Sequence, residues 1–217
     1  MVPHVRSLLG AFLFRRAAER PQAILQLEKS LEIDPTFAPA WGVLAAAYAE
    51  SGRVGPDILA AAGTAHRLLP SDLSVSRALL TLILRADQRD RALEFVTATF
   101  EDDPIERARA LDRIAANDLA RTRDALVLGD LDAAERRLGL ARELAAASSD
   151  RDLLQPQVDE LSETVAEHRA AARFETASEL FADGDTRSAL DIIEEILLDR
   201  HVGSTAEAAS SLRQRIL

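Results

Sequence analysis

Apolar residues recur along this chain at spacings of three and four with polar residues between them, which predicts helices laid with one face against a core. The segment FAPAWGVLAAAYAESGR places Trp41, Leu44, Ala45, Tyr48 and Gly52 at offsets 0, 3, 4, 7 and 11. The first four share a face, the small Ala45 leaves room for a partner helix to come close, and Gly52 turns the chain. Farther on, Ile105, Ala108, Leu111, Ala115, Leu119 and Leu126 predict one helix of about 24 residues, ~36 Å long at the helical rise. A helix from Asp132 to Ala147 follows. After the turn ASSDRD, Pro156 is expected in a first turn, and Val158, Leu161, Val165, Ala172, Thr176 and Leu180 continue a stripe toward Ala182. A second stripe of Ala171, Phe174, Ala177 and Phe181 predicts a C-terminal half buried on two sides. From Thr205 to Ile216, Ala208, Ala209, Leu212 and Ile216 alternate with Glu207, Arg213 and Arg215, the greasy and wet faces of a closing helix. The first helix differs, because Leu8, Leu9, Phe12, Leu13 and Phe14 make it apolar nearly all round.

The prolines add a period. Pro35, Pro70 and Pro104 are spaced 35 and 34 apart, each after an apolar helical stretch, the period of a helix-turn-helix repeat. Each is expected to end one helix and start the next. Gly129 and Gly184 mark matching turns in LVLGDLDAAERRL and LFADGDTRSALDII, followed five residues later by Ala134 and Ala189.

The order Trp41, Leu44, Ala45, Tyr48, Gly52 resembles the first helix of the tetratricopeptide repeat, with Ala23 and Ala92 at the small position of the second helix. The resemblance implies an all-α, right-handed tetratricopeptide-like solenoid of about five helical hairpins and a C-terminal capping helix. Residues 1–104 read as three regular hairpins, and 105–217 as two longer, irregular ones plus the capping helix, continuous with the first part. Residues 9–104 are similar to repeats that follow output domains in some bacterial signalling proteins. No output domain is present, so such a role would need a separate partner or an upstream domain.

Composition narrows the function. Aromatics are only 4% of residues and charged residues 29%, which favours helix over sheet. Residues 1–100 carry 11 basic and 10 acidic side chains, whereas 101–217 carry 15 and 26. An acidic half disfavours nucleic acid. Lys29 is the one lysine among 26 basic residues, which reads either as the coding bias of a GC-rich bacterial genome or as a preference for rigid guanidinium forks. The absence of cysteine excludes disulfides and thiolate chemistry. The apolar run Leu8–Phe14 is far short of a bilayer span and is followed by Arg15 and Arg16 rather than a cleavage site, so a cytoplasmic protein is expected.

No chemistry-bearing constellation emerges. His4, His66, His168 and His201 are far apart, and none has a ligand or triad spacing. In DGDTRSALDIIEE, Arg187 stands where a calcium loop needs an oxygen ligand, so Asp185 reads instead as a helix cap. EDDP at 101–104 reads as a solvated turn. Phosphate-loop, dinucleotide and nucleophile-elbow motifs are missing, and we expect no catalytic residue, no metal and no cofactor.

What remains is surface. The resemblance assigns the concave, ligand-facing side to the first helix of each hairpin: Phe12, Arg15 and Arg16, then Val43, Ala46 and Glu50, then Arg77, Thr81 and Arg85. Arg16, Arg77 and Arg85 would be forked donors to a peptide bearing carboxylates, over a floor of Val43 and Ala46; the alternative is a solvated arginine-rich face. The paired Asn and Lys of carboxylate-clamp repeats are lacking. Leu8, Leu9, Leu13 and Phe14 mark an edge that meets a second copy or an upstream domain, unless Leu8, Phe12 or Phe14 tuck under the second repeat. The expected function is a protein-binding scaffold or adaptor; the alternative is a structural protein that self-assembles through its N-terminal edge.

Overall fold

The computed structural model describes residues 3–148, 150–199 and 202–217; His201 and the centre of the ASSDRD turn lie outside them. Among the described residues the chain is all helical, with eleven α-helices, one 3-10 turn (Ala17–Glu19) and no strand. They are α1 (Pro3–Phe14), α2 (Arg20–Ile33), α3 (Ala38–Ser51), α4 (Pro56–Leu68), α5 (Leu73–Arg85), α6 (Arg89–Thr99), α7 (Pro104–Leu128), α8 (Leu131–Ala146), α9 (Arg151–Ala182), α10 (Thr186–Leu198) and α11 (Ser204–Ile216). Two compact units divide within α7, between Ile114 and Ala115.

In the first unit α1, α3 and α5 pack in succession, with α2 on α3 and α4 on α5. The core positions repeat with the prolines. Leu27, Ala62 and Val96, each eight residues before a proline of the series, are all fully buried. Ala40, Leu44, Ala45, Ala47 and Tyr48 of α3 recur 35 residues later as Val75, Leu79, Leu80, Leu82 and Ile83 of α5, all buried. Trp41 is half-buried, and its indole donates to the Pro35 carbonyl at 2.8 Å, tying the helix to its entry turn. Tyr48 donates to Glu28 at 2.6 Å, and burial, then Glu28, raises its phenol pKa. The prolines are placed differently from one another. Pro104 starts α7, whereas Pro35 and Pro70 lie in the turns beyond α2 and α4, where they only stop the preceding helix.

Three corners are built alike. At Asp87, Gly129 and Gly184 the backbone is left-handed, with φ of 57°, 76° and 92°. The next N–H (Gln88, Asp130, Asp185) returns five residues to Ile83, Ala125 and Leu180, closing the helix end as a Schellman turn. Asp130 and Asp185 then cap the next helix, accepting from the N–H of Ala133 and Ser188. Five residues past each corner stands an alanine without accessible surface: Ala92, Ala134 and Ala189.

The second unit holds two cores. One joins Ala115, Leu119 and Ala125 of α7 to Ala134, Leu138 and Ala141 of α8 and Leu154, Val158, Leu161 and Val165 of α9. The other joins Ala170 and Ala177 of α9, with Phe174 and Phe181 against them, to α10 and α11. The step of five from Val165 to Ala170, in place of three or four, turns the buried face of α9 from one neighbour to the others. The C-terminal half is therefore not buried on two sides, for Ala171, Ala172 and Thr176 are exposed. Pro156 is the sixth residue of α9 rather than a first-turn residue, because Asp150 already accepts from the N–H groups of Leu153 and Leu154. At the far end, Glu167 of α9 accepts from the Ser204 hydroxyl at 2.5 Å and from the Thr205 N–H and hydroxyl at 3.0 Å each. The first turn of α11 is thus capped by another helix.

Replacing Gly129 or Gly184 by Ala is expected to cost roughly 1–2 kcal/mol each in urea unfolding, from the left-handed backbone alone, since an added Cβ meets nothing within 4 Å at either site. Ala134→Leu is expected to cost about 1–3 kcal/mol by overpacking, and Ala208→Leu, on the exposed face of α11, close to nothing.

Candidate protein-binding surfaces

The side-by-side packing of α1, α3 and α5 brings much of the expected set onto neighbouring elements. Phe12 lies on α1 and is 54% exposed. Arg15 and Arg16 fall beyond the end of α1 at Phe14, in the turn before the 3-10 segment, so they do not belong to a first helix as expected. On α3, Val43 and Ala46 are half-buried and Glu50 is exposed; on α5, Arg77 and Thr81 are half-buried and Arg85 is exposed.

The arginines expected to serve a guest are engaged within the chain. Arg77 forks onto Glu106 at the start of α7, Nε at 3.1 Å and Nη2 at 2.7 Å, while Arg109 reaches the same carboxylate at 2.7 Å. Glu106 is buried, and Arg77 first, then Arg109, holds its pKa below the ordinary 4.5. Arg85 donates to the Ala49 carbonyl, one of the last acceptors of α3, where a cation also complements the helix dipole. Arg20 of α2 pairs with Glu50 at 2.5 Å. Arg16 pairs with Glu19 at 3.1 Å and stacks over Phe12 at 4.9 Å. Thr81 donates to the Arg77 carbonyl at 2.8 Å. An incoming carboxylate would have to compete with these partners at Arg16, Arg77 and Arg85, which leaves Val43, Ala46 and the exposed Arg15 as the part of the face not engaged by them.

The N-terminal edge divides. Leu8 is 72% and Leu9 37% exposed, whereas Leu13 and Phe14 are half-buried, with Arg20 over the Phe14 ring at 6.0 Å. Val5, 47% exposed, completes a stripe of Val5, Leu8, Leu9 and Phe12 at i, i+3, i+4 and i+7. Leu8 and Phe12 do not tuck under the second hairpin.

A cleft of about 810 Å³ in the second unit gave no signal in the sequence, because three helices build it. It opens over α9 between α8 and α10. Leu138, Val165, Ala170 and Ile196 form its floor. Arg169 bridges to Asp132 at 2.8 Å and Glu135 at 3.3 Å, Arg173 pairs with Glu195, and Arg142 donates to Ser162 at 2.8 Å.

The three described histidines serve local packing. His4 meets the Phe37 ring edge-on at 4.5 Å, His66 lies 3.2 Å from the Ser76 hydroxyl, with burial lowering its pKa, and His168 contacts the Thr164 carbonyl one turn back. Among the described residues no three His, Cys, Asp or Glu side chains gather as a metal site, and no helix is long and apolar enough to cross a membrane.

A carboxylate with a depressed pKa adds stability above its ordinary value and loses it as pH falls through the lowered one. Glu106→Gln is therefore expected to lower the melting temperature at pH 7, with the gap from wild type closing toward pH 3 as Glu106 itself takes up a proton. Melts across that range check it. No protein-family model matches this chain, and no curated protein matches it.

Proposed function

We propose that the chain is a non-enzymatic scaffold built from tetratricopeptide-like hairpins, which holds a segment of another protein across the first helices of its N-terminal repeats. The observation that carries this reading is the row formed by α1, α3 and α5, whose first member exposes Val5, Leu8, Leu9 and Phe12 while its neighbour leaves Val43 and Ala46 partly accessible. An exposed apolar stripe such as that of α1 marks contact with another macromolecule. The 35-residue recurrence of core positions between α3 and α5 supports the repeat assignment.

Because Arg16, Arg77 and Arg85 are held internally, recognition rests on apolar contact and shape more than on charge. Binding is then less sensitive to salt than an arginine clamp would be. In capture from native lysate, Val43→Glu with Ala46→Glu is expected to lose the partners that wild type retains, at an unchanged melting temperature. An unchanged partner set overturns the assignment of the face.

The stripe on α1 also favours a second reading, self-assembly through that helix. Light scattering at micromolar concentration separates the two. Oligomers that Phe12→Asp dissociates support assembly, and a concentration-independent monomer removes it.

A further inference from the structure

The corner between α3 and α4 departs from the compact corners of the later hairpins. It runs Gly52, Arg53, Val54, Gly55 before Pro56 opens α4, where the others have one capping residue between the left-handed residue and the next helix. The longer link leaves Val54 42% exposed and opens a depression of about 770 Å³ against the α5–α6 corner. Its walls are Val54, Pro56, Leu59, Ala60 and Ala86, with Arg91 at the rim.

Like Arg142, which meets a serine hydroxyl, Arg91 is held by a neutral partner. Arg77 and Arg169 hold carboxylates and Arg85 a helix-end carbonyl, but the partner of Arg91 among the described residues is the neutral side-chain oxygen of Gln88, at 2.8 Å. A solvent-facing guanidinium satisfied by one amide keeps donors for an anion. The apolar wall beside it, based on the buried Leu59, has the character of a side-chain socket.

We propose that this depression is a second binding site, which takes a partner segment presenting an aliphatic or aromatic side chain next to a carboxylate. The side chain enters between Val54, Leu59 and Ala86, and the carboxylate meets the fork of Arg91. The site lies at the loop edge of the hairpins and does not depend on the α1–α3–α5 face.

The test is a peptide array carrying Leu, Ile, Met, Phe or Ala next to either Glu or Gln, probed with the labelled full chain. Spots pairing a large apolar residue with Glu are expected to bind at least fivefold more strongly than their Gln or Ala counterparts. Arg91→Gln is expected to erase the Glu preference, and Ala60→Trp, which fills the depression from an exposed position, to abolish binding. Circular dichroism melts establish that both variants fold. Val43→Glu with Ala46→Glu is expected to leave the array pattern unchanged, so failure here and failure of the first-helix face are told apart. No enrichment with wild type, or a Glu preference that survives Arg91→Gln or Ala60→Trp in a folded variant, overturns the proposal.

Discussion

The helix pairs depend on close approach at one point, just past the corner where the chain reverses. A Schellman turn sends the second helix back along the first within two or three residues, and the two axes are nearest about one turn later. Ala92, Ala134 and Ala189 fill that place with no exposed surface, and a methyl side chain there lets the two helices come close. Larger side chains can pack only farther along, where the helices diverge enough for interdigitation. The small residue and the left-handed corner before it are one device.

Each unit also buries one charged pair: in the first, Glu106 of α7 is met by Arg77 from α5, and in the second, Asp118 of α7 is met by Arg137 from α8. Such pairs add little net stability over an apolar contact, but removing one partner leaves the other stranded. The same use of arginine inside the fold withdraws it from recognition, which separates this face from a cationic groove.

Much of the architecture was legible because it rests on period. The length of α7, the place of α8 and the closing helix α11 follow from apolar spacing, and Gly129 and Gly184 announce their corners. The third corner was hidden because Asp87 occupies the left-handed position without being glycine. The burial along α7 departs from its apolar spacing for a related reason. Glu106, Asp118 and Thr122 are buried, while Ile105 of the apolar series is 65% exposed; a charged residue made inward by a partner 19 or 29 positions away leaves no mark in a hydrophobic pattern. The turn of the α9 face between Val165 and Ala170 was visible only as two competing stripes. Of the candidate surfaces, the α1 stripe was legible in part, at Leu8 and Leu9 but not Val5, whereas the engagement of Arg77 and Arg85 and the depression beside Arg91 depend on residues from separate hairpins.

The cap that Glu167 lends to α11 ties two events that are separate in most helices. A terminal helix with its own cap can lift from its neighbour and stay wound; this one gives up its first hydrogen bonds at the moment it detaches. Detachment of this thirteen-residue helix therefore uncaps its first turn as well, so the docking of α11 and the order at its start are coupled.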